Sequence, residues 1–372
     1  MQRIALQVGF SLLGIVAAAA LTLWDNSVPD IAADRTVSPI TIPLAVLGDS
    51  SSHSYQDSLS FPSDSGRRGG VNQERSFGWL EVLARLRGDE LDVGPWVTWG
   101  RSGVIVDLLD RLQLPAGRSP RKEDYLYNFA ASGTGCEQLT EGRLRQAPRL
   151  VALMDREPQR WRRGIVVIRT GLGEWSRVPD AQAAQTDDSQ FRAAIQHCVD
   201  RIGDAIRLIH ASHPTTRIVV VGWADEAVDP IDADRWRGEE AFGPMEQALS
   251  EANGALRQVA QSQPHAIFFD DQAWVRARWG SRDADGQPVY TTVTVGERLR
   301  ITNTAGNAPT HAVMDDHHPG LAYSALWAQS WIDRLNEGFG LSLTPISDEE
   351  LARFVLPLAD ASLAAALRAP GS

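Results

Sequence analysis

Two stretches far apart in the chain carry residue types able to act together on a carbonyl. The first is Leu47-Gly48-Asp49-Ser50-Ser51, where an apolar run ends in a polar turn. Glycine permits a tight turn where a side chain would collide. A serine just past a strand, at the start of a helix, exposes its hydroxyl above a sheet, where backbone N–H groups and the helix dipole can support developing negative charge. The second stretch is Met314-Asp315-Asp316-His317-His318-Pro319-Gly320. A serine hydroxyl is a poor nucleophile until a base takes its proton. Histidine does this near neutral pH, and a carboxylate can hold the ring in the required tautomer. Asp315, three residues before His318 on a loop leading to a helix, can reach that ring. Each stretch alone also has a plainer reading. Gly-Asp-Ser is common in turns, and the Asp/His run suits a solvated loop with a helix cap. A metal site is the other alternative, but no third cluster of ligands joins these residues.

The elements that must position these residues read as alternating strands and helices. Ile42–Leu47, Tyr125–Phe129, Gly164–Arg169, Arg217–Val221 and His265–Phe269 are short, apolar and rich in β-branched residues, as expected of strands buried on both faces of a parallel sheet. Phe77–Leu86, Phe191–Ile209, Met245–Val259 and Leu321–Leu335 have helical spacing of apolar residues. The alternation predicts a doubly wound α/β sandwich. Two insertions interrupt it, near 94–122 and 272–310. The second contains a hairpin formed by Val289–Val295 and Glu297–Ile301. Loops at the C-terminal ends of strands surround the site in such folds, so both insertions are expected as substrate-binding walls. Residues 341–372 read as a helical tail.

Taken together, the motifs resemble the SGNH (GDSL-like) hydrolase superfamily over about Ile42 to Leu335. Gly48-Asp49-Ser50 matches its serine block, and Asp315-Asp316-His317-His318-Pro319 its last block. Asn128-Phe129-Ala130-Ala131-Ser132-Gly133 matches its Asn-x-x-x-Ser-Gly block. The resemblance implies a three-layer α/β/α sandwich, flavodoxin-like, with a mainly parallel central sheet. It implies Ser50, His318 and Asp315 as catalytic residues and the Ser50 and Gly133 amides as an oxyanion hole. In that pattern neither Asp316–His318 nor Asp315–His317 has the right spacing, and His53 and His317 are expected to be solvated or structural.

One block departs. The family's Gly-x-Asn is Gly171-Leu172-Gly173 here, so the asparagine that supplies a third oxyanion donor is Gly173. Losing such a donor can cost on the order of 3 kcal/mol in the transition state. Either Arg169 or Asn128 supplies a substitute, or the Gly173 N–H turns inward, or catalysis is weak. The resemblance implies an ester hydrolase without metal or organic cofactor. Export, tryptophan content and the insertions favour carbohydrate O-acyl esters. Lipid esters are the alternative, and a third reading is a glycan-binding or acetyl-transferring envelope protein on the same scaffold.

Residues 1–24 open with one arginine and continue as an uncharged apolar run from Ile4 to Trp24, the pattern of an export signal or a retained membrane anchor. Residues 25–40 read as a linker, and 41–340 as the catalytic domain. The net charge of -11 disfavours nucleic acid as a partner. Two cysteines, Cys136 and Cys198, are too few for a zinc finger or an iron–sulfur cluster. They are either a pair of buried thiols or one disulfide. Twelve tryptophans are expected mostly in the core, with a few left to stack on sugar rings.

Overall fold

The computed structural model describes residues 41–114, 117–171, 188–224, 229–231, 239–280 and 282–366. Its strands are β1 (Ile42–Gly48), β2 (Leu91–Asp92), β3 (Trp96–Trp99), β4 (Lys122–Tyr125), β5 (Ile165–Arg169), β6 (Arg217–Val221), β7 (Ala266–Phe269), β8 (Thr292–Val295), β9 (Leu299–Ala305) and β10 (His311–Val313). Its helices are α1 (Trp79–Arg87), α2 (Gly103–Arg111), α3 (Gln146–Met154), α4 (Pro158–Trp161), α5 (Asp188–Ser212), α6 (Glu239–Gln261), α7 (Asp271–Trp279), α8 (Leu321–Phe339) and α9 (Asp348–Ala366).

The central sheet runs β2-β1-β5-β6-β7, with every neighbouring pair parallel. The period-2 alternation of side chains divides its core into two layers. Leu44, Val46, Ile165, Val167, Val219 and Val221 point to one face and pack with Trp79 of α1 and Trp327 and Trp331 of α8. Ala45, Leu47, Val166, Ile168, Ile218 and Val220 point to the other, against Leu150 of α3, Ile202 of α5 and Leu256 of α6. Both faces are therefore covered, which is why these strands are apolar throughout. A truncation such as Leu44→Ala would cost about 3 kcal/mol. The three-layer sandwich expected from the sequence is the observed architecture.

The strand order reverses between β1 and β5, the switch point at which ligands bind in such sheets. Gly48 sits there opposite Arg169. A Cβ on Gly48 would lie 2.0 Å from the Arg169 carbonyl oxygen, so only glycine lets the two strand ends close up. Gln146 of α3 finishes the edge, its amide accepting from Gly48 N at 2.7 Å and donating to Gly48 O at 2.8 Å.

Several expectations are corrected. No helix follows Ser50: residues 50–69 form turns and loop, a 3-10 turn occupies Gly70–Arg75, and α1 begins only at Trp79. A helix dipole therefore does not act at Ser50. Tyr125–Phe129 is not a full strand. It turns after β4, where the Asn128 amide donates to Tyr125 O, and joins β1 through a single bridge of Val46 with Asn128. The hairpin expected in the second insertion is present as the antiparallel pair β8–β9, and β10, just beyond the insertion, extends it to a three-stranded sheet. Cys136 and Cys198 form a disulfide between the segment after Gly133 and α5. Of the described tryptophans, Trp79, Trp99, Trp161, Trp223, Trp274, Trp279, Trp327 and Trp331 are buried, and Trp96 is exposed. Among the described residues no helix is long and apolar enough to cross a membrane. The apolar run of residues 4–24 lies outside them.

Candidate active site

Ser50 follows β1 at the switch point and is half-buried. The turn around it is set by Asp49, whose Oδ1 accepts from the Ser51 amide at 3.0 Å and whose carbonyl accepts from the Ser52 amide. Among the described residues no acceptor meets the amide N–H of Ser50.

The Asn128–Thr134 loop is tied to the end of β1. Ala131 N donates to Gly48 O at 3.1 Å, and Thr134 Oγ1 reaches the same oxygen at 3.2 Å. From below, Lys122 Nζ donates to Ala130 O at 2.5 Å. Gly133 has φ 75, where glycine is favoured, and a Cβ there would meet nothing within 4 Å. Its requirement for glycine is thus conformational. Gly133 is exposed, and among the described residues its amide has no acceptor either.

The third segment folds as a tight turn. His317 N donates to Met314 O at 3.0 Å with His317 at φ 62, and Met314 N donates to His318 O at 2.8 Å. This turn decides which aspartate meets the imidazole. The ring nitrogen His318 Nδ1 lies 2.6 Å from the Asp316 carbonyl oxygen and 3.3 Å from Asp316 Oδ1. Asp315 points away. Its carboxylate accepts from Asn307 Nδ2 at 2.7 Å, and its amide donates to Asn307 Oδ1. The expectation that Asp315 orients His318 is corrected to Asp316, which the left-handed His317 swings under the ring.

A carbonyl oxygen can only accept, so Nδ1 of His318 carries the proton and Nε2 keeps the lone pair in the neutral ring. Burial, and then the Arg68 guanidinium, push the His318 pKa below its ordinary value, with Asp316 opposing them. The ring is therefore a neutral base over a wide pH range.

Arg68 links the segments. Its Nη1 donates to Asp316 Oδ2 at 2.6 Å, and its Nη2 to Ser132 Oγ at 3.3 Å. Tyr55, five residues after Ser50, donates to Pro319 O at 3.0 Å and meets the His318 ring edge-on. The loops carrying Ser50, Gly133 and His318 are thus joined to one another at the switch point. No known family model matches the chain, and no curated protein does. Among solved structures it is similar to a lipase from a goat rumen metagenome, at 12% identity and a TM-score of 0.40 over 82% of this chain and 100% of that one. It is also similar to a protein described as a GDSL-like lipase from Parabacteroides merdae, at 15% identity and a TM-score of 0.36 over 82% and 97%.

The position of Gly173 lies outside the described residues. Both side chains considered as substitute donors are committed elsewhere. Arg169 Nη1 donates to Ser51 O at 2.7 Å, with Nη2 at 3.4 Å from Asp271 Oδ2. Asn128 Nδ2 donates to Ser52 O and to Asp124. The Nε of Arg169 has no partner among the described residues, but the residue is only 4% exposed. Among the described residues no three His, Cys, Asp or Glu side chains group so as to hold a metal ion.

Sequence reasoning missed Arg68 and set Asp316 aside on spacing, while His53, expected to be solvated or structural, is structural. His53 is buried, with Nε2 2.8 Å from Asp57 Oδ2 and Nδ1 3.0 Å from Ser132 Oγ. No local signal separates a buried Arg68 from its exposed neighbour Arg67 in the stretch Gly66-Arg67-Arg68-Gly69, since both lie in a polar loop.

Proposed function

We propose that the chain is a serine ester hydrolase with Ser50 as nucleophile, His318 as general base and Asp316 as the carboxylate beside it. The observation that carries the reading is the fixed tautomer of His318. Its Nδ1–H is spent on the Asp316 carbonyl, which leaves Nε2 basic in a ring joined through Tyr55 and Arg68 to the Ser50 and Gly133 loops. In the first step the Ser50 proton passes to Nε2 as Oγ bonds to the ester carbonyl carbon, and the carbonyl π pair moves onto oxygen. The unpartnered amides of Ser50 and Gly133 suit that oxyanion. Collapse of the oxyanion breaks the bond to the alcohol, which leaves with the proton from Nε2. Water then gives a proton to Nε2 as its oxygen attacks the acyl-serine carbonyl, and collapse of the second oxyanion releases the acid while Nε2 returns that proton to Ser50 Oγ. Gly173 has no side chain to donate, so a hole built on the two amides of Ser50 and Gly133 predicts slower turnover than one with three donors.

The substrate is a carboxylic ester. Carbohydrate esters lose one line of support, since Trp96 is the exposed tryptophan among the described residues. Export by residues 4–24 gains one, because a buried disulfide suits an oxidising compartment. The test is labelling by an alkyl fluorophosphonate together with turnover of short-chain p-nitrophenyl esters. Wild type is expected to label on Ser50 and turn over, and Ser50→Ala to do neither. Undiminished turnover by Ser50→Ala would end the proposal.

A further inference from the structure

The proposed reaction does not use His53, yet it is one of the most tightly defined side chains near the site. It is 2% exposed, and Asp57 beside it is fully buried. Every contact of the Asp57 carboxylate is with a donor. Oδ1 accepts from the amides of Leu59 at 3.1 Å and Glu123 at 3.0 Å, and Oδ2 meets His53 Nε2 at 2.8 Å. Burial opposes ionisation of Asp57, but hydrogen bonds from His53, Ser60 and the Glu123 amide keep its pKa below the ordinary value. A carboxylate can only accept, so Nε2 of His53 carries the ring proton and Nδ1 carries the lone pair.

That lone pair faces the loop that carries the Gly133 amide. The Ser132 amide donates to His53 Nδ1 at 3.1 Å, and Ser132 Oγ lies 3.0 Å from it. The loop is anchored before this point by Ala130 and Ala131, and after it by Thr134, whose hydroxyl donates to Ala131 O at 2.8 Å. Between those anchors stand Ser132 and Gly133, both exposed, with Gly133 in a left-handed conformation that leaves it many alternatives. Arg68 Nη2 reaches the Ser132 hydroxyl, but the main-chain bond here is the one to His53, which holds the Ser132 amide and through it the peptide leading into Gly133.

We propose that His53, held in one tautomer by Asp57, is a positioning residue that fixes the Ser132–Gly133 peptide and so aims the Gly133 amide at the oxyanion. The inference rests on the reading of the site given under Proposed function. It makes the two buried side chains part of the transition-state machinery without contact with the substrate. Burial also lowers the His53 pKa to about 4, so Nδ1 remains an acceptor at neutral pH.

Two substitutions separate positioning from packing. In His53→Asn, Oδ1 takes nearly the place of Nδ1 and can accept from Ser132 N, while the link to Asp57 is lost. In His53→Gln, the amide nitrogen takes nearly the place of Nε2 and keeps Asp57, while the acceptor for Ser132 is lost. His53→Gln is expected to lower kcat by about 10²-fold with little change in KM, the signature of a lost transition-state donor. His53→Asn is expected to restore most of that loss. Hydrogen exchange at the Ser132 amide reads the same contact without catalysis, and should be slow in wild type and His53→Asn and fast in His53→Gln. Equal protection of Ser132 in both variants would overturn the inference whatever the turnover. So would a kcat loss that follows thermal stability rather than the acceptor. Correct exchange behaviour in a wild-type protein lacking Ser50-dependent turnover would instead refute the hydrolase reading and the link to an oxyanion with it.

Discussion

Arg68 holds Asp316 with its guanidinium and its backbone at once: Nη1 lies 2.6 Å from Oδ2, and the Arg68 amide donates to the same oxygen at 3.0 Å. The pair is 3% and 19% exposed, and the arginine lies over the rings of Phe61 and Tyr55. Arg68 has φ 54, a conformation non-glycine residues seldom adopt, so the surrounding contacts must outweigh its strain. Burial opposes ionisation of Asp316, but His318 and then Arg68 prevail and hold its carboxyl well below the usual range. The carboxylate beside the proposed base thus keeps its charge well into acid.

The two neighbouring aspartates should separate cleanly in kinetics. Asp316→Asn removes the negative charge that steadies the imidazolium. The Nδ1–H bond to the residue's carbonyl survives, so the tautomer should survive as well. A loss of about 10–10²-fold in kcat/KM is expected, short of the roughly 10⁴-fold seen when a carboxylate alone fixes the tautomer. Asp315→Asn touches only the exposed contact with Asn307 and should change kcat/KM by no more than about twofold. Ester turnover of the purified variants decides it, and a larger loss at Asp315 would restore the spacing expected from the sequence.

Arg68 also gives a pH dependence with a definite sign. The free base form of His318 is the active one, and burial and Arg68 lower its pKa, so the acidic limb of kcat/KM should fall below pH 6.5 in wild type. Arg68→Gln removes a positive charge facing the ring while Asp316 remains. The imidazolium becomes easier to form, and the limb should move to higher pH. A limb that stays in place or moves to lower pH would show that Arg68 does not act on His318 electrostatically.

How much of this was legible beforehand depended on whether the signal was local. β1 and its Gly48-Asp49-Ser50 end were readable because an apolar run stops at a residue that only close strand packing explains. The alternation in IVVIR and RIVVV placed β5 and β6 equally well. Asp316 was not readable, because the choice between adjacent carboxylates rests on a left-handed His317 that no propensity requires. Nor was the absence of a helix after Ser50. The polar stretch Ser51–Ser60 spends its groups on distant partners, such as Ser54 on Asp124, Gln56 on Ser76 and Asp57 on Glu123. The tryptophans were legible as core, and their crowding between α1, α8 and β7 left little for sugar stacking.

The disulfide predicts a redox-dependent stability. Cys136 and Cys198 are separated by 62 positions, and closing a loop of that length restrains the unfolded chain by about 4 kcal/mol in the chain-entropy model. Cys136 lies three residues after Gly133, so the bond also backs the loop holding that amide. Cys136→Ala with Cys198→Ala, or wild type under a thiol reductant strong enough to open the bond, should unfold at a clearly lower urea concentration. Equal midpoints would mean that the cysteines are unpaired in solution.

A second pH effect belongs to folding rather than catalysis. Burial, and then the nearby Lys122 ammonium, push His53 down to about 4, against the pull of Asp57 and Asp124. An unfolded chain returns it to about 6.5, so between those values the unfolded state binds more protons than the folded one. The contribution of His53 is therefore fully present above pH 6.5 and is lost as the pH falls toward 4, amounting to about 3 kcal/mol over the whole interval. Other buried groups titrate in the same range, and His53→Asn cancels them because it leaves them in place while removing this proton site. Urea unfolding of both proteins at pH 7 and pH 4.5 should show wild type losing stability relative to His53→Asn on acidification, by about 2–3 kcal/mol. A difference independent of pH would mean that His53 protonates in place, which the acceptor role at Ser132 forbids.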